Sequence, residues 1–341
     1  MKNLCILTSN SLKNYGGGEK YIINLGNGLF RKNVDITVIA LKYFQNQRVN
    51  DDDLRNMIKF NYTEIDYKSG FLKPLQAKKI PEIIDDNLYV MSGYYMFIKQ
   101  SLNIKGNKTY GAHDPSLENP DNILKKRILT ELIPKFDSVH ILNEPQRKYI
   151  KNKNIKLLHL TWLGEKMRFE QKFNKFSIIF YGRHEEDKGI NTILNIAKIL
   201  NNDIDLYIVG AGSKSYLFND IKKQNIKVLG FLEENKLYDL ITKCHAVIFP
   251  SYSEVYSAIS YESMACHTPL IYRNINANEF LNYIDFEKKC NNDDDFIRNI
   301  LSLKKLYDTD REEYIKKCRE LDNYLMSSDE YLKSFINFFI Q

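Results

Sequence analysis

The sequence predicts an α/β protein with two Rossmann-like domains, each built on a doubly wound parallel sheet. Three observations lead to this fold class. Short apolar segments of strand length alternate with amphipathic segments of helix length. The connections between them are short, as is typical of such domains. The alternation restarts after a polar stretch at residues 166–175, where we place the linker.

The first series begins with the apolar run NLCILTS, which predicts a strand rather than a secretory leader. A glycine run follows, and then a segment in which Ile22, Leu25 and Leu29 share one helical face. The next strand is VDITVIAL, so the chain opens with a βαβ unit and a parallel sheet. Further strands are predicted at NLYVMSG, KTYGAHD and SVHILN, and a helix over residues 122–135.

The second series alternates strands and helices with the same regularity. Its predicted strands are FSIIFYG, IDLYIVG, IKVLGF, HAVIFPS and TPLIY. Its predicted helices are INTILNIAKIL, SYLFNDIKKQ, ENKLYDLITKC and SAISYESMAC. This order predicts a second parallel sheet with helices on both faces.

Composition indicates a globular protein, with 43% hydrophobic and 27% charged residues. No run of about 18 apolar residues predicts a membrane-spanning helix. The 5 cysteines are far apart and form no C-x-x-C pair, so neither a zinc site nor a disulfide framework is expected. We therefore expect a protein of the reducing cytoplasm.

The charge is unevenly distributed. Residues 1–165 carry 25 Lys and Arg against 17 Asp and Glu, whereas residues 166–341 carry 24 against 26. A basic first half favours contact with an anionic partner such as a membrane surface or a polyanion. A chain that is merely rich in lysine would give the same count.

The glycine run NYGGGEK precedes a predicted helix, so its backbone can approach a ligand and the helix N–H groups can face an anion. Tyr21 stands where G-x-G-x-x-G requires its last glycine, and no acid ends the following strand. The sequence therefore supports NAD binding only weakly. An ordinary connecting loop is the alternative interpretation.

The segment YGRHEEDKG places Arg183 and Lys188 between a strand and a helix, with Lys188 at the helix start. Two cations beside a helix N-terminus suit a diphosphate. A solvated charged loop is the alternative, because three acidic residues lie between the cations. The turn GAGSKS is a weak glycine motif, and no P-loop motif is present.

The segment SEVYSAISYESMA holds two acids eight positions apart. Glu254 follows a predicted strand, and Glu262 is expected about two turns into the next helix. This spacing does not form a tight carboxylate pair. One acid is suited to the reacting carbon and the other to sugar hydroxyls, while exposed helix acids are the ordinary alternative.

Taken together, GGGEK, FYGRHEEDKG, IVGAG, LGFL and PSYSEVYSAISYESMA resemble, in this order, the retaining glycosyltransferases of family 4. The resemblance covers nearly the whole chain and implies the GT-B fold, in which two Rossmann-like domains face a central cleft. It implies an acceptor-side domain at 1–168 and a nucleotide-sugar-binding domain at 169–325. The amphipathic segment at about 326–341 fits the family's last helix, which packs back on the first domain.

The activity implied by the resemblance is retaining, metal-independent transfer of a sugar from a UDP- or GDP-linked donor. The acceptor would be a hydroxyl of a glycan or of a lipid-linked sugar. No metal and no cofactor besides the nucleotide sugar are expected, and no nucleic acid partner. We expect a cytoplasmic protein that contacts the anionic inner membrane face through its basic first domain, including Lys125, Lys126 and Arg127. The alternatives are a GT-B sugar-nucleotide epimerase and a non-catalytic nucleotide-sugar-binding protein.

The resemblance also implies site residues. The catalytic set is Glu254, His113, Arg183 and Lys188. The donor-binding set is Gly17, Arg183, Lys188, Leu232, Ser257, Ala258, Ile259 and Glu262.

Each implied residue has a role in the resemblance. Glu254 faces the transferred sugar, and Arg183 and Lys188 neutralise the leaving diphosphate. Glu262 accepts hydrogen bonds from the ribose, and His113 lies near the transferred sugar on the acceptor side. A buried structural histidine is the alternative for His113.

The remaining donor contacts are mostly made by the backbone. Gly17 lies near the diphosphate or sugar, and Leu232 offers backbone contacts to the base. The amides of Ser257, Ala258 and Ile259 cap phosphates or sugar hydroxyls.

Three parts of the sequence depart from the family pattern. Val255 and Ser257 replace the two glycines of the usual E-G-F-G, so side chains stand where the backbone approaches the donor sugar. His267 stands where a glycine is usual before Thr-Pro. TWLGEKMRF replaces the usual Asn-Gly-Val-Asp stretch before the linker.

Overall fold

A computed structural model describes residues 2–42, 47–66 and 87–340 of the chain. The chain divides into two compact units. Unit 1 comprises Met1–Gly164 and Ser327–Gln341, and unit 2 comprises Glu165–Met326. Both units are Rossmann-like α/β domains with wholly parallel sheets.

Unit 1 is built on a parallel sheet with the strand order β3-β2-β1-β4-β5-β6-β7. Its strands are β1 Asn3–Thr8, β2 Asp35–Lys42, β3 Asn61–Asp66, β4 Asn87–Met91, β5 Asn107–Gly111, β6 Ser138–Ile141 and β7 Ile155–Leu157. Its first helices are α1 Gly17–Arg31, α2 Asp51–Met57, α3 Tyr95–Ser101 and α4 Ile123–Arg127. The predicted helix over 122–135 is confirmed, and it continues beyond α4 through one π-helical and one 3₁₀ turn.

Unit 2 is built on a parallel sheet with the order β10-β9-β8-β11-β12-β13. Its strands are β8 Ser177–Tyr181, β9 Asp205–Val209, β10 Ile226–Gly230, β11 Ala246–Phe249, β12 Leu270–Arg273 and β13 Lys288–Cys290. Its helices are α5 Ile190–Ile199, α6 Glu234–Lys243, α7 Ala258–Ala265, α8 Asp293–Thr309 and α9 Arg311–Glu320.

The last helix, α10 Ser328–Phe339, belongs to unit 1. Its Tyr331 hydroxyl is hydrogen-bonded to the Tyr21 hydroxyl of α1 (2.9 Å). Its Phe335 and Phe339 are buried and their rings lie against Tyr89 of β4. The C-terminal helix therefore closes one face of the first sheet by burying aromatic side chains.

Each sheet changes its winding direction at one point. In unit 1 this point lies between β1 and β4, and in unit 2 between β8 and β11. Ligands of open parallel sheets bind beyond the carboxyl ends of the strands at such switch points. The loops after these four strands are therefore where function is expected.

The helix predicted at SYLFNDIKKQ is wrong. The structure has a single 3₁₀ turn at Ser215–Phe218, and Phe218 is the one buried residue of that turn. Leu217, Phe218 and Ile221 have the spacing of one helical face, but Leu217 and Ile221 are only partly buried. Tertiary packing would therefore add little to a longer helix. The Ser215 hydroxyl instead accepts a hydrogen bond from the Gly212 N–H (2.9 Å) and lies 2.8 Å from His184 Nδ1.

None of the helices in the described ranges combines the length and the apolar character that a bilayer-spanning segment needs.

Glu287, just before β13, makes the stability of unit 2 depend on pH. Its carboxylate is buried and accepts a hydrogen bond from the Leu270 N–H, and burial raises its pKa from 4.5 to about 8. Folding therefore takes up a proton between these two values, so the free energy of unfolding falls as pH rises through this window. The full effect is on the order of 5 kcal/mol.

We expect Glu287→Gln to remove this pH dependence. The variant should gain stability relative to wild type at pH 9 and gain little at pH 4.5, as followed by urea unfolding. Glu279→Gln is the matched control, because Glu279 is exposed. An equal change in both variants would contradict the assignment.

Candidate functional site

Lys188 and Glu254 meet at the switch point of the second sheet. Lys188 ends a 3₁₀ turn after β8, and Glu254 lies in the loop after β11. The Lys188 Nζ donates a hydrogen bond to Glu254 Oε1 (2.6 Å) and lies 3.4 Å from the Ser253 carbonyl oxygen. The two side chains are 19% and 21% exposed, so solutes can reach the pair. The cation and the acid predicted for separate roles thus form one ion pair.

The backbone at Gly189 makes this pair possible. Gly189 has φ +73°, and a Cβ there would lie 2.3 Å from the Pro250 carbonyl oxygen. Only glycine allows the turn that carries Lys188 to pack so closely against the end of β11. Lys188 is thus two residues before α5 rather than at its start, since Gly189 is the N-cap.

Arg183 lies at the same edge of the sheet. Its Nη2 is 3.1 Å from Asp187 Oδ2, and the Arg183 side chain is 54% exposed. The same carboxylate oxygen is 3.6 Å from Lys188 Nζ, so Asp187 lies between the two predicted cations. An exposed ion pair contributes at most about 1 kcal/mol. A bound diphosphate can therefore replace Asp187 as the partner of Arg183 at little cost.

The N-terminus of α7 lies directly after Glu254 in the chain. Ser257 is the N-cap, and Ala258 and Ile259 form the start of the first turn. The first N–H groups of a helix have no partner within the helix and attract anions. No side-chain hydrogen bond caps this terminus. The Ser257 side chain is 1% exposed, and its Oγ has no hydrogen-bond partner among the described residues.

We expect Ser257→Ala to leave stability within about 0.5 kcal/mol of wild type, because no hydrogen bond of Oγ is lost. The affinity for a nucleoside diphosphate should fall by about three- to tenfold if Oγ donates to a phosphate. Calorimetric titration with UDP and GDP measures this loss. Ser253→Ala, an exposed position in the same loop, is the control. Equal affinity of both variants would contradict the role of Oγ.

Glu262 is the fifth residue of α7, just over one turn into the helix and not two turns as predicted. It is 7% exposed. Its Oε2 accepts a hydrogen bond from the Tyr181 hydroxyl (3.1 Å). Its Oε1 lies 3.1 Å from the Tyr238 hydroxyl, which is closer to Glu234 Oε1 (2.7 Å) and shares its proton between the two acids. Burial and the nearby carboxylate raise the pKa of both tyrosines, so their hydroxyls stay protonated as donors. Glu262 therefore belongs to a buried hydrogen-bond network within unit 2.

Sequence reasoning missed both tyrosines. Tyr181 is the last residue of β8 and Tyr238 lies in α6. The place of Tyr181 at the carboxyl end of a strand is a signal that could have found it. Leu232 lies two residues before α6, in the loop after β10, and is partly buried. Its backbone is therefore at the same edge of the second sheet as Lys188.

Unit 1 contains a cavity of about 520 Å³ at its own switch point. Residues after β1 and β4 line it, together with His113 and the Asp114–Lys125 ion pair. The lining includes side chains with hydroxyl or amide groups, those of Thr8, Ser9, Asn10, Ser92, Tyr94, Tyr95 and Asn122. A cavity lined in this way can hold a ligand with several hydroxyl groups.

His113 lines this cavity and is hydrogen-bonded through Nε2 to the Tyr89 hydroxyl (3.0 Å). Burial, with the neighbouring His140, lowers the pKa of His113 well below its usual value. The ring is therefore neutral near pH 7. The structure thus places His113 both at a cavity and in a partly buried hydrogen bond.

Gly17 is the first residue of α1. The cavity lining includes the next two residues, Gly18 and Glu19, but not Gly17. The Glu19 carboxylate accepts a hydrogen bond from the Gly16 N–H (2.9 Å). The helix N-terminus predicted as an anion site thus already holds a carboxylate of the chain itself.

Within residues 2–42, 47–66 and 87–340, no group of three or more His, Cys, Asp or Glu side chains is arranged to hold a metal ion.

Part of the chain matches a known family and two curated proteins. Residues 165–321 match the family model "Glycosyl transferases group 1". A Bacillus subtilis protein, "Uncharacterized glycosyltransferase YqgM", is 30% identical over 108 residues. A Klebsiella pneumoniae "Uncharacterized 41.2 kDa protein in cps region" is 24% identical over 106 residues. These alignments span 29% and 31% of this chain and 30% of the length of each relative.

Solved structures match nearly the whole chain. Anabaena HepE, solved with UDP and glucose, has a TM-score of 0.78 at 12% identity over 99% of each chain. A mutant of S. aureus TarM, solved with UDP, has a TM-score of 0.76 at 12% identity over 99% of each chain. Sucrose-phosphate synthase from Thermosynechococcus elongatus has a TM-score of 0.75 at 12% identity, over 99% of this chain and 98% of that one.

At this identity the solved structures establish the fold alone. The comparisons favour neither an epimerase nor a non-catalytic binding protein. Together they support a glycosyltransferase of the GT-B fold, with residues 165–321 as its group 1 domain.

Proposed function

We propose that this protein is a retaining, metal-independent glycosyltransferase of family 4. It moves a sugar from a UDP- or GDP-linked donor to a hydroxyl of a glycan or lipid-linked acceptor. The observation that carries the proposal is the Lys188–Glu254 pair beside the uncapped N-terminus of α7, at the switch point of unit 2.

The proposed role of the donor-site residues follows from the charges that develop during the reaction. Breaking the anomeric C–O bond leaves positive charge on the sugar and negative charge on the diphosphate. Lys188, Arg183 and the amides of Ser257, Ala258 and Ile259 offer preorganised positive charge for the second product. These groups stabilise the negative charge that a divalent cation stabilises in metal-dependent enzymes. EDTA should therefore leave turnover unchanged.

Glu254 supports the reaction as a neighbour of the developing sugar cation. In the retaining step, the acceptor oxygen bonds to the anomeric carbon on the face that the diphosphate leaves, and the acceptor proton passes to a phosphate oxygen. Glu254 then need not form the covalent intermediate that retaining glycosidases use. A bound diphosphate competes with Glu254 for the Lys188 Nζ, which frees the carboxylate to turn toward the sugar.

We propose the remaining contacts with the donor from where the residues lie in the fold. Glu262 takes the ribose hydroxyls, and the backbone at Leu232 contacts the base. Gly17 is proposed near the diphosphate or sugar because α1 begins there. Two solved structures of this fold contain UDP, so UDP-sugars are the first donors to test.

The acceptor side is proposed at the cavity of unit 1. Its hydroxyl and amide lining suits sugar hydroxyls, and neutral His113 can accept a hydrogen bond from one of them. The 520 Å³ cavity accommodates a small saccharide.

We also propose peripheral contact with the anionic inner membrane face through unit 1. Ile123 and Leu124 are 68% and 49% exposed beside the exposed Lys126. Lys125 and Arg127, predicted as part of the same basic cluster, are each ion-paired, with Asp114 and Glu131. Anionic liposomes at low salt should carry the protein to the top of a flotation gradient. If the protein does not float with the liposomes, this part of the proposal is overturned.

The five cysteines are free and buried, which fits a cytoplasmic location.

A thermal-shift screen of UDP, GDP, ADP and their common sugars tests the donor assignment. A ligand at 100 times its Kd stabilises the folded state by about 2.7 kcal/mol. We expect one nucleotide family to raise the melting temperature of wild type and of Lys198→Met, an exposed control on α5. Lys188→Met should lose most of that shift.

The outcomes separate the three readings. Consumption of the bound nucleotide sugar only when an acceptor is present supports the transferase. A changed nucleotide or free sugar formed without acceptor would support an epimerase, and binding without turnover would support a binding protein. No shift with any nucleotide would overturn the donor assignment.

A further inference from the structure

A chain of hydrogen bonds runs from His113 back into the core of unit 1. His113 Nε2 bonds the Tyr89 hydroxyl (3.0 Å), which also bonds His140 Nδ1 (2.5 Å). His140 Nε2 bonds the Leu158 carbonyl oxygen (2.8 Å). Tyr89 and His140 are fully buried. The mechanism proposed above uses neither of them.

The Leu158 carbonyl oxygen, at the end of this series, determines which group donates in each hydrogen bond. A carbonyl oxygen only accepts, so His140 carries its proton on Nε2 and leaves Nδ1 as an acceptor. The Tyr89 hydroxyl therefore donates to His140, and its oxygen accepts from His113. His113 then carries its proton on Nε2 and has a lone pair on Nδ1.

Both rings are neutral, as this argument requires. Burial lowers the pKa of His140 to about 4 and that of His113 well below its usual value. The rings of Phe335 and Phe339 pack against those of Tyr89 and His140, so aromatic side chains cover these hydrogen bonds.

Gly111 leaves space for the Tyr89 hydroxyl, which lies in the middle of this series of hydrogen bonds. A Cβ at Gly111 would lie 2.5 Å from the Tyr89 hydroxyl oxygen, so glycine at this position keeps its space open. The Tyr21 hydroxyl is hydrogen-bonded to the hydroxyls of both Tyr331 and Tyr89. The Tyr89 oxygen has two lone pairs, so it can accept from Tyr21 and from His113 together.

We propose that Tyr89 and His140 are positioning residues that hold His113 in the Nε2–H tautomer, with the Nδ1 lone pair turned to the unit 1 cavity. This inference rests on the proposed function and deepens it. A lone pair accepts a hydrogen bond, so the site selects a ligand that presents a hydroxyl there. Nδ1 has no hydrogen-bond partner within the described residues, and His113 lines the cavity.

The test is the tautomer of His113, read from ¹⁵N shifts of histidine-labelled protein at neutral pH, with the resonance assigned by loss in His113→Gln. Wild type should show protonated Nε2. His140→Leu removes the acceptor of the Tyr89 hydroxyl, which then donates to His113 Nε2 and moves the proton to Nδ1. His140→Gln offers both a carbonyl and an N–H and should restore the wild-type tautomer.

A His140→Leu protein in which His113 keeps its proton on Nε2 would overturn the proposal. If that variant does not fold, Tyr89→Phe decides. It should give ¹⁵N shifts averaged between the tautomers, and shifts identical to wild type would overturn the proposal.

Turnover gives a second readout. His140→Leu should reduce acceptor-dependent transfer about tenfold, mainly by raising the acceptor KM, and His140→Gln should recover most of it. The tautomer measurement needs no substrate. Lack of turnover by wild type would thus count against the transferase proposal alone, and an unchanged tautomer would count against the positioning role alone.

Discussion

Replacing Lys188 by methionine is expected to reduce sugar transfer by about 100- to 1,000-fold while the protein keeps its fold. The side chain carries the cation closest to the candidate sugar site, 2.6 Å from Glu254. Without it, the charge that develops on the leaving diphosphate loses its partner, and Glu254 loses its counterion. The decrease should appear both as a lower kcat and as a higher donor KM, measured by release of the nucleoside diphosphate.

Two control variants make this result specific. Lys188→Arg keeps the charge but changes its geometry, so it should retain part of the activity. Lys198→Met removes a lysine of similar length from an exposed position of α5 and should be fully active. Activity of Lys188→Met close to that of Lys198→Met, with both proteins folded, would show that Lys188 has no part in catalysis.

Glu262→Ala is expected to weaken nucleotide binding by at least about tenfold and to destabilise unit 2 by about 1–3 kcal/mol. The first effect follows from the proposed ribose contact. The second follows from the structure, because the Tyr181 hydroxyl loses its buried acceptor, whereas the Tyr238 hydroxyl keeps its bond to Glu234. Calorimetric titration measures the affinity, and urea unfolding measures the free energy of unfolding.

The two effects can be separated through the tyrosines. In a Tyr181→Phe, Tyr238→Phe background no hydroxyl is left without its partner, so adding Glu262→Ala should cost much less stability than in wild type. The loss of nucleotide affinity should remain. If affinity falls only in step with stability, Glu262 is a structural residue of the core and does not contact the ribose. A thermal-shift comparison of this variant must therefore use its own ligand-free melting temperature.

The buried strands could be predicted because a central parallel strand is covered on both faces and reads as a continuous apolar run. β1, β8 and β11 are of this kind. The strands that sequence reasoning missed are β3, β7 and β13, and each lies at an edge of its sheet. Edge strands carry polar residues, as in NYTEID and KKC, so the apolar signal is absent.

The site could be predicted only in part. The motifs drew attention to Lys188, Glu254 and Glu262, and the structure brings the first two together. The partners of Glu262 lie 81 and 24 positions away in the chain, so no local pattern connects them. The bonds that join His113, Tyr89 and His140 likewise arise from the pairing of distant strands.

The most direct test of the central claim is ¹H NMR of a nucleotide sugar incubated with the protein and candidate saccharide or lipid-linked acceptors. The account predicts that one UDP- or GDP-sugar is consumed in step with a new glycosidic linkage of the donor's own anomeric configuration. A donor that binds but is never consumed, across the whole acceptor panel, would contradict sugar transfer. A product of inverted configuration would contradict the retaining mechanism.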